Sequence, residues 1–157
     1  MGIRVKTLAV ALAVPLGLGA LAALLSRGSR GALAALEKPP LTPPGWVFPL
    51  VWTMLYAAMG VASYLIATSG APHESMRMAL VTYGVALALS ALWPVLFFTL
   101  GRRLFAFFEL MALWLALRYA LLQFYQLRRA AAHWLFPTLL WTTFAGYLNL
   151  GIWLLNR

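Results

Sequence analysis

Cysteine is missing from this 157-residue chain, which excludes disulfides, thiolate metal sites and a cysteine nucleophile. Acidic residues number three and histidines two. His73 falls in a connector and His133 at a helix end, without a carboxylate or second histidine at ligand spacing, so no metal site is expected. No Ser-His-Asp arrangement, phosphate-binding loop or dinucleotide fingerprint is present. Any chemistry must then run through aromatic side chains or through a ligand itself. Charge is scarce overall, at 10% of residues against 64% hydrophobic, with a mean hydropathy of +0.86. Soluble domains run nearer half apolar and a quarter charged, so water is not the main solvent for this surface.

What the chain does have is five apolar runs, near Thr7–Leu25, Trp46–Thr68, Met78–Leu100, Leu104–Tyr125 and His133–Leu155. Each is long enough to cross about 30 Å of hydrocarbon. Backbone groups inside lipid must be satisfied within the segment, so the runs are expected to be helices. The expected fold is all-α, an integral membrane bundle of five transmembrane helices forming one domain over residues 1–157, with a lid-like loop at 26–45. A signal peptide is the rival reading of the N-terminus, because Arg4 and Lys6 precede an apolar run with small residues at Ala20 and Ala22. That run is longer than most signal-peptide cores, and a retained first helix is expected.

The formal charge of +9 invites a nucleic-acid partner, but the positions argue against one. Eleven of the twelve basic residues fall between or beyond the spans, where they neutralise anionic head groups; Arg118 alone lies inside one. Five basic residues on one membrane side against six on the other give no orientation. The ten-to-two excess of arginine over lysine, with many alanines, points to a GC-rich bacterial source and hence a bacterial cell envelope.

Aromatic placement carries the most information. Phe48, Trp52 and Tyr56 are four residues apart and share one helical face. Ser90, Trp93 and Phe97 share a face of the third span, and Trp141, Ala145 and Leu148 one of the fifth. Trp52, Trp93 and Trp141 sit well inside their spans, whereas Trp46, Trp134 and Trp153 fall at interface level as belt residues. Interior tryptophans face other helices, so these faces read either as a packed aromatic core or as the walls of a pocket for a flat, conjugated ligand. Pro94 clashes with the Ser90 carbonyl and removes its partner, which predicts a kink beside a free acceptor. Glu109 and Arg118, nine residues apart on the fourth span, point to opposite faces; Glu109 is expected to snorkel toward Arg102 or Arg103. The longest loop begins flexible, offers a helical turn at Ala32–Leu36, and stiffens at Pro39-Pro40 and Pro43-Pro44, as a lid or rim would. The remaining connectors are short and predict sequential up-down packing.

The stretch Lys38 to Tyr56, KPPLTPPGWVFPLVWTMLY, resembles the loop and second helix of the tryptophan-rich sensory protein family, whose animal members are the translocator proteins. Further matching pieces follow in order: Leu92-Trp93 with Phe97-Phe98, Phe105 to Trp114, Pro137, Leu140-Trp141, Phe144-Ala145, Tyr147-Leu148-Asn149 and Leu155-Asn156. The resemblance implies a five-helix membrane bundle, commonly homodimeric, that binds porphyrins and haem-like tetrapyrroles with no required cofactor. It implies a ligand cavity lined by Pro43, Phe48, Trp52, Tyr56, Ser90, Trp93, Phe97, Trp141 and Ala145. Gly84 and Ala88 form a small-xxx-small pair suited to a dimer seam. Some bacterial members are reported to break down protoporphyrin in light, for which Trp52 and Trp141 would be the catalytic tryptophans. A lipid or sterol transporter is a third reading. Sterol binding is disfavoured, because Leu150-Gly151-Ile152-Trp153 lacks the Tyr of the animal sterol motif. Ser90 replaces the family's usual Asn, and Leu41 stands where an aromatic is common.

Overall fold

The computed structural model describes residues 3–29, 31 and 34–157. Five long helices account for most of them: α1 (Val5–Leu25), α2 (Val47–Ala67), α3 (His73–Pro94), α4 (Arg103–Leu127) and α5 (Arg129–Leu155). A short 3₁₀ turn, Arg27–Ser29, follows α1, and α3 continues as a π-helical turn over Val95–Thr99. All five are long and apolar enough to cross a membrane. At 1.5 Å per residue, the 21 residues of α1 span about 31 Å, the thickness of a bilayer's hydrocarbon. Large apolar side chains such as Val10, Met54, Phe105, Leu115 and Leu140 are exposed around the outside, as a lipid solvent requires. The chain is a multi-pass integral membrane protein.

The connectors behave as their sequences dictate. Gly70 and Gly101 adopt φ of 74° and 61°, a left-handed backbone that closes the second and third connectors without a Cβ penalty. Arg128 alone joins α4 to α5, in an extended conformation, and its guanidinium donates to the Leu65 carbonyl at 3.4 Å. The α1 helix runs through Pro15 without a break.

Helix neighbours depart from a simple sequential order. Around the bundle the packing runs α1, α2, α5, α4, α3, with α3 returning to α1, and α2 touches α3 only lightly. The reason is steric: the rings of Trp52 and Trp93 stand between α2 and α3, stacked 6.1 Å apart, and hold the backbones off. Elsewhere small residues let helices close up. A Cβ on Gly60 would lie 2.8 Å from the Ala11 carbonyl oxygen, so α2 sits directly on the α1 backbone there. Gly19 does the same for the Tyr56 ring, while Gly17 meets nothing.

Candidate functional site

Between α1, α2 and α3, at the end where α1 finishes and α2 begins, lies an apolar cavity of about 450 Å³. That falls in the range that holds a drug-sized molecule. Phe48, Trp52 and Tyr56 of α2 form one wall, Ser90, Trp93, Pro94 and Phe98 of α3 the other. The backs of Gly19, Ala22 and Ala23 on α1 form the third side, and Trp46 stands at the mouth. The four-residue spacing on α2 thus delivers its rings to one surface. Trp52 packs on Tyr56 at 5.7 Å and stacks on Trp93, which in turn stacks on Phe97 at 5.3 Å.

Five of the nine residues expected around a ligand line this space: Phe48, Trp52, Tyr56, Ser90 and Trp93. The others sit behind the wall or beside it. Phe97 is buried against Trp93, Ala145 is buried within α5, and Pro43 belongs to the loop. Trp141 is one ring removed, edge-on to Phe48 at 6.0 Å. Trp52 Nε1 and Trp141 Nε1 are both buried with no hydrogen-bond partner, as is Ser26 Oγ on the cavity wall. An unpaired donor in an apolar surface is costly unless a ligand acceptor meets it. The aromatic, apolar lining suits a flat, largely apolar molecule.

After Pro94 the helix continues as a π-turn, closed by Leu100 N–H donating to the Val95 carbonyl at 2.9 Å, the kind of local widening that accompanies helix kinks. The Ser90 hydroxyl, beside Tyr56, donates back to the Leu87 carbonyl at 2.7 Å, so its oxygen remains an acceptor on the wall. Trp93 is fixed from behind: its Nε1–H donates to Asn149 Oδ1 at 3.0 Å, and Asn149 Nδ2 donates to the Arg103 carbonyl at 2.8 Å. Sequence reading matched Asn149 and Asn156 to the family but assigned them no task. A polar amide inside an apolar span was the available signal.

Asn156 clamps the loop. Its Oδ1 accepts from Glu37 N–H at 3.0 Å and its Nδ2 donates to the Glu37 carbonyl at 2.9 Å, the pairing of a two-strand ladder made by a side chain. Tyr147 Oη donates to the Pro40 carbonyl at 3.0 Å, and Pro39 lies so close to Gly151 that a Cβ there would sit 2.7 Å from its Cγ. The proline segment is thus seated on the end of α5, with Leu41 exposed at its tip in a left-handed conformation, φ 67°, that is strained for a leucine. Lys38 Nζ donates to the Ala34 carbonyl at 3.4 Å, and Arg27 is exposed. Arg30, and Ala32 and Leu33 of the expected turn, lie outside the described residues. Replacing Asn156 by Ala removes both Glu37 bonds, each worth about 1 kcal/mol. Ligand dissociation measured by stopped-flow quenching is expected to quicken about tenfold, and an unchanged rate would show that the clamp does not gate the cavity.

The two intramembrane charges of α4 face opposite ways, as their nine-residue spacing implies, but Glu109 departs from expectation in its partner. Glu109 does not snorkel to Arg102 or Arg103: both its carboxylate oxygens are buried without a hydrogen-bond partner, because its face of α4 turns into the bundle. Arg118 is exposed on the outer face of α4. Among the described residues no group of three metal-ligating side chains comes together.

The TspO/MBR family profile matches residues 11–154. Protein CrtK of Rhodobacter capsulatus is 30% identical over 138 residues, covering 88% of this chain and 85% of its own. Tryptophan-rich protein TspO of Chlorobaculum tepidum is 33% identical over 121 residues, 77% of each chain. Translocator protein of Bos taurus is 35% identical over 125 residues, 79% of this chain and 74% of its own. With nearly the whole bundle covered, the chain belongs to the TspO/MBR family.

Proposed function

We propose that this protein is a membrane receptor for porphyrins and related tetrapyrroles, held in the cavity between α1, α2 and α3. Family membership supports a membrane-associated binding role toward tetrapyrrole- or sterol-related molecules. The observation that carries the finer reading is the pair of stacked indoles, Trp52 and Trp93, on the wall of an apolar cavity, with the Trp52 N–H unpaired. A conjugated macrocycle offers a face to stack and polar edges to accept. Arg27 and Lys38 at the adjacent loop would draw its propionates. A homodimer is part of the reading, with the exposed Gly84 and Ala88 on α3 as its seam.

The second reading is light- and oxygen-dependent porphyrin breakdown, with dioxygen as the oxidant. It is favoured by Trp52 lying on the cavity wall with Trp141 one ring behind it through Phe48. Titration of the detergent-purified protein with protoporphyrin, dark and then illuminated, separates the two. Saturable tryptophan quenching with an unchanged porphyrin band in light supports the receptor. Loss of the band with a new absorbing product, slowed at least tenfold in Trp52→Phe or Trp141→Phe, supports breakdown. Absence of saturable quenching at micromolar porphyrin overturns both.

A further inference from the structure

Arg118 is the one basic residue inside a span, and it is exposed on the outer face of α4 with no hydrogen bond or ion pair among the described residues. It stands 15 residues below Arg103 and nine above Leu127, about 22 and 13 Å along the helix. The 25 residues of α4, about 37 Å long, overhang some 30 Å of hydrocarbon by a few Å at each end, so Arg118 lies about 10 Å inside the nearer boundary. Helical side chains leave the backbone tilted toward the N-terminus, which for α4 means toward the mid-plane and away from those nearer head groups. To approach them the guanidinium must fold back against that direction, and it still stops short. An arginine held in hydrocarbon is costly and calls for a paired acid at its own depth.

This chain has no such acid to spare. Its three are Glu37 in the loop, Glu74 at the start of α3, paired with Arg77 at 3.7 Å, and Glu109, whose oxygens are buried inside its own bundle. A second copy brings the same three and leaves Arg118 unneutralised. The position of Arg118 also sets it apart from the α3 seam. It follows Met111 by seven residues and Trp114 by four, and those two reach Gly146 and Thr143 of α5. Arg118 therefore stands on the α5 side of α4, turned away from Gly84 and Ala88. Leu115 and Leu122 flank it on α4, and the antiparallel register of Trp114 on Thr143 brings the exposed Leu140 of α5 level with it. The surface is apolar except for one unpaired cation.

We propose that this outer face of α4 and α5 docks a transmembrane helix of another membrane protein, one carrying an aspartate or glutamate near mid-membrane that pairs with Arg118. The apolar neighbours pack against the incoming helix, and the ion pair fixes its depth and selects it over helices without an acid. None of the residues lining the tetrapyrrole cavity belongs to α4, so the docking face is separate from it.

The chain has no cysteine, so Ala130→Cys, exposed at the start of α5, takes a single fluorescent donor. Energy transfer is then measured at pH 7 in phosphatidylcholine vesicles, to acceptor-labelled polyleucine helices of about 20 residues with one central Glu, Gln or Lys. The chain with Arg118 intact is expected to bind the Glu helix about tenfold more tightly than the Gln helix, the size of a strong interhelical polar contact between model helices. Arg118→Gln should erase that preference, and Arg118→Glu should transfer it to the Lys helix. Moving the arginine to the exposed position 54 of α2, by Arg118→Gln with Met54→Arg, should not restore it. Equal binding of the Glu and Gln helices with Arg118 intact overturns the proposal, since the arginine is then neutralised by lipid head groups. So does full restoration by arginine at position 54, which would show that the face around Arg118 contributes nothing. Should the Met54→Arg variant not fold, the Glu–Gln comparison and the two Arg118 variants decide the matter.

Discussion

Asn149→Leu is expected to destabilise the bundle by about 2 kcal/mol and to weaken ligand binding with it. Asn149 is 1% exposed and joins three helices, accepting from the Trp93 indole of α3 and donating to the Arg103 carbonyl at the start of α4. Leucine has the same branched skeleton of four side-chain heavy atoms and leaves no void, so the loss is not a cavity effect. It is the loss of two hydrogen bonds, with a buried N–H left unpaired. An interhelical hydrogen bond in lipid contributes about 0.6 kcal/mol on average, while an unsatisfied buried group costs about 1–3 kcal/mol, so the orphaned indole dominates. The Trp93 ring is then free to turn from its stack with Trp52 and Phe97. Unfolding followed by tryptophan fluorescence in denaturant, beside protoporphyrin titration, reads both effects. Stability within 0.5 kcal/mol of wild type would show that the amide is incidental.

The same residue shows where sequence reading stops. The five helices are legible because hydrophobic runs of bilayer length permit little else, and the face shared by Phe48, Trp52 and Tyr56 follows from helical period alone. What period cannot supply is which faces meet. Trp141 shares the inward character of Trp52, yet it lies behind Phe48 and off the cavity, because α5 packs on the far side of α2. The α1 contribution, through Gly19, Ala22, Ala23 and Ser26, was hidden for the opposite reason: small residues carry no directional signal. Short loops likewise predict that α2 and α3 pack together, and the rings held between them prevent it. Glu109 was legible as an intramembrane charge, but its rotation into the bundle depends on how α4 seats on α3 and α5.

Gly19→Leu is expected to abolish porphyrin binding while leaving the fold in place, the largest effect on function of any single change here. The Cβ of any residue at 19 would overlap the Tyr56 ring, whose far side faces Trp52 at 5.7 Å. Tyr56 lines the cavity, so the displaced ring and the leucine side chain are expected to fill the space bounded by Ala22 and Ser90. A stacked ligand face is worth about 1–3 kcal/mol per aromatic contact. Losing access to Tyr56 and Trp52 together predicts at least a hundredfold rise in the protoporphyrin dissociation constant. Helix propensity favours leucine over glycine by about 0.8 kcal/mol, which offsets part of the repacking cost and keeps the variant foldable. Circular dichroism and detergent-resistant folding should match wild type while tryptophan quenching by protoporphyrin disappears. Quenching retained at wild-type affinity would place the porphyrin elsewhere than between α1, α2 and α3, and the receptor reading of that cavity would fall with it.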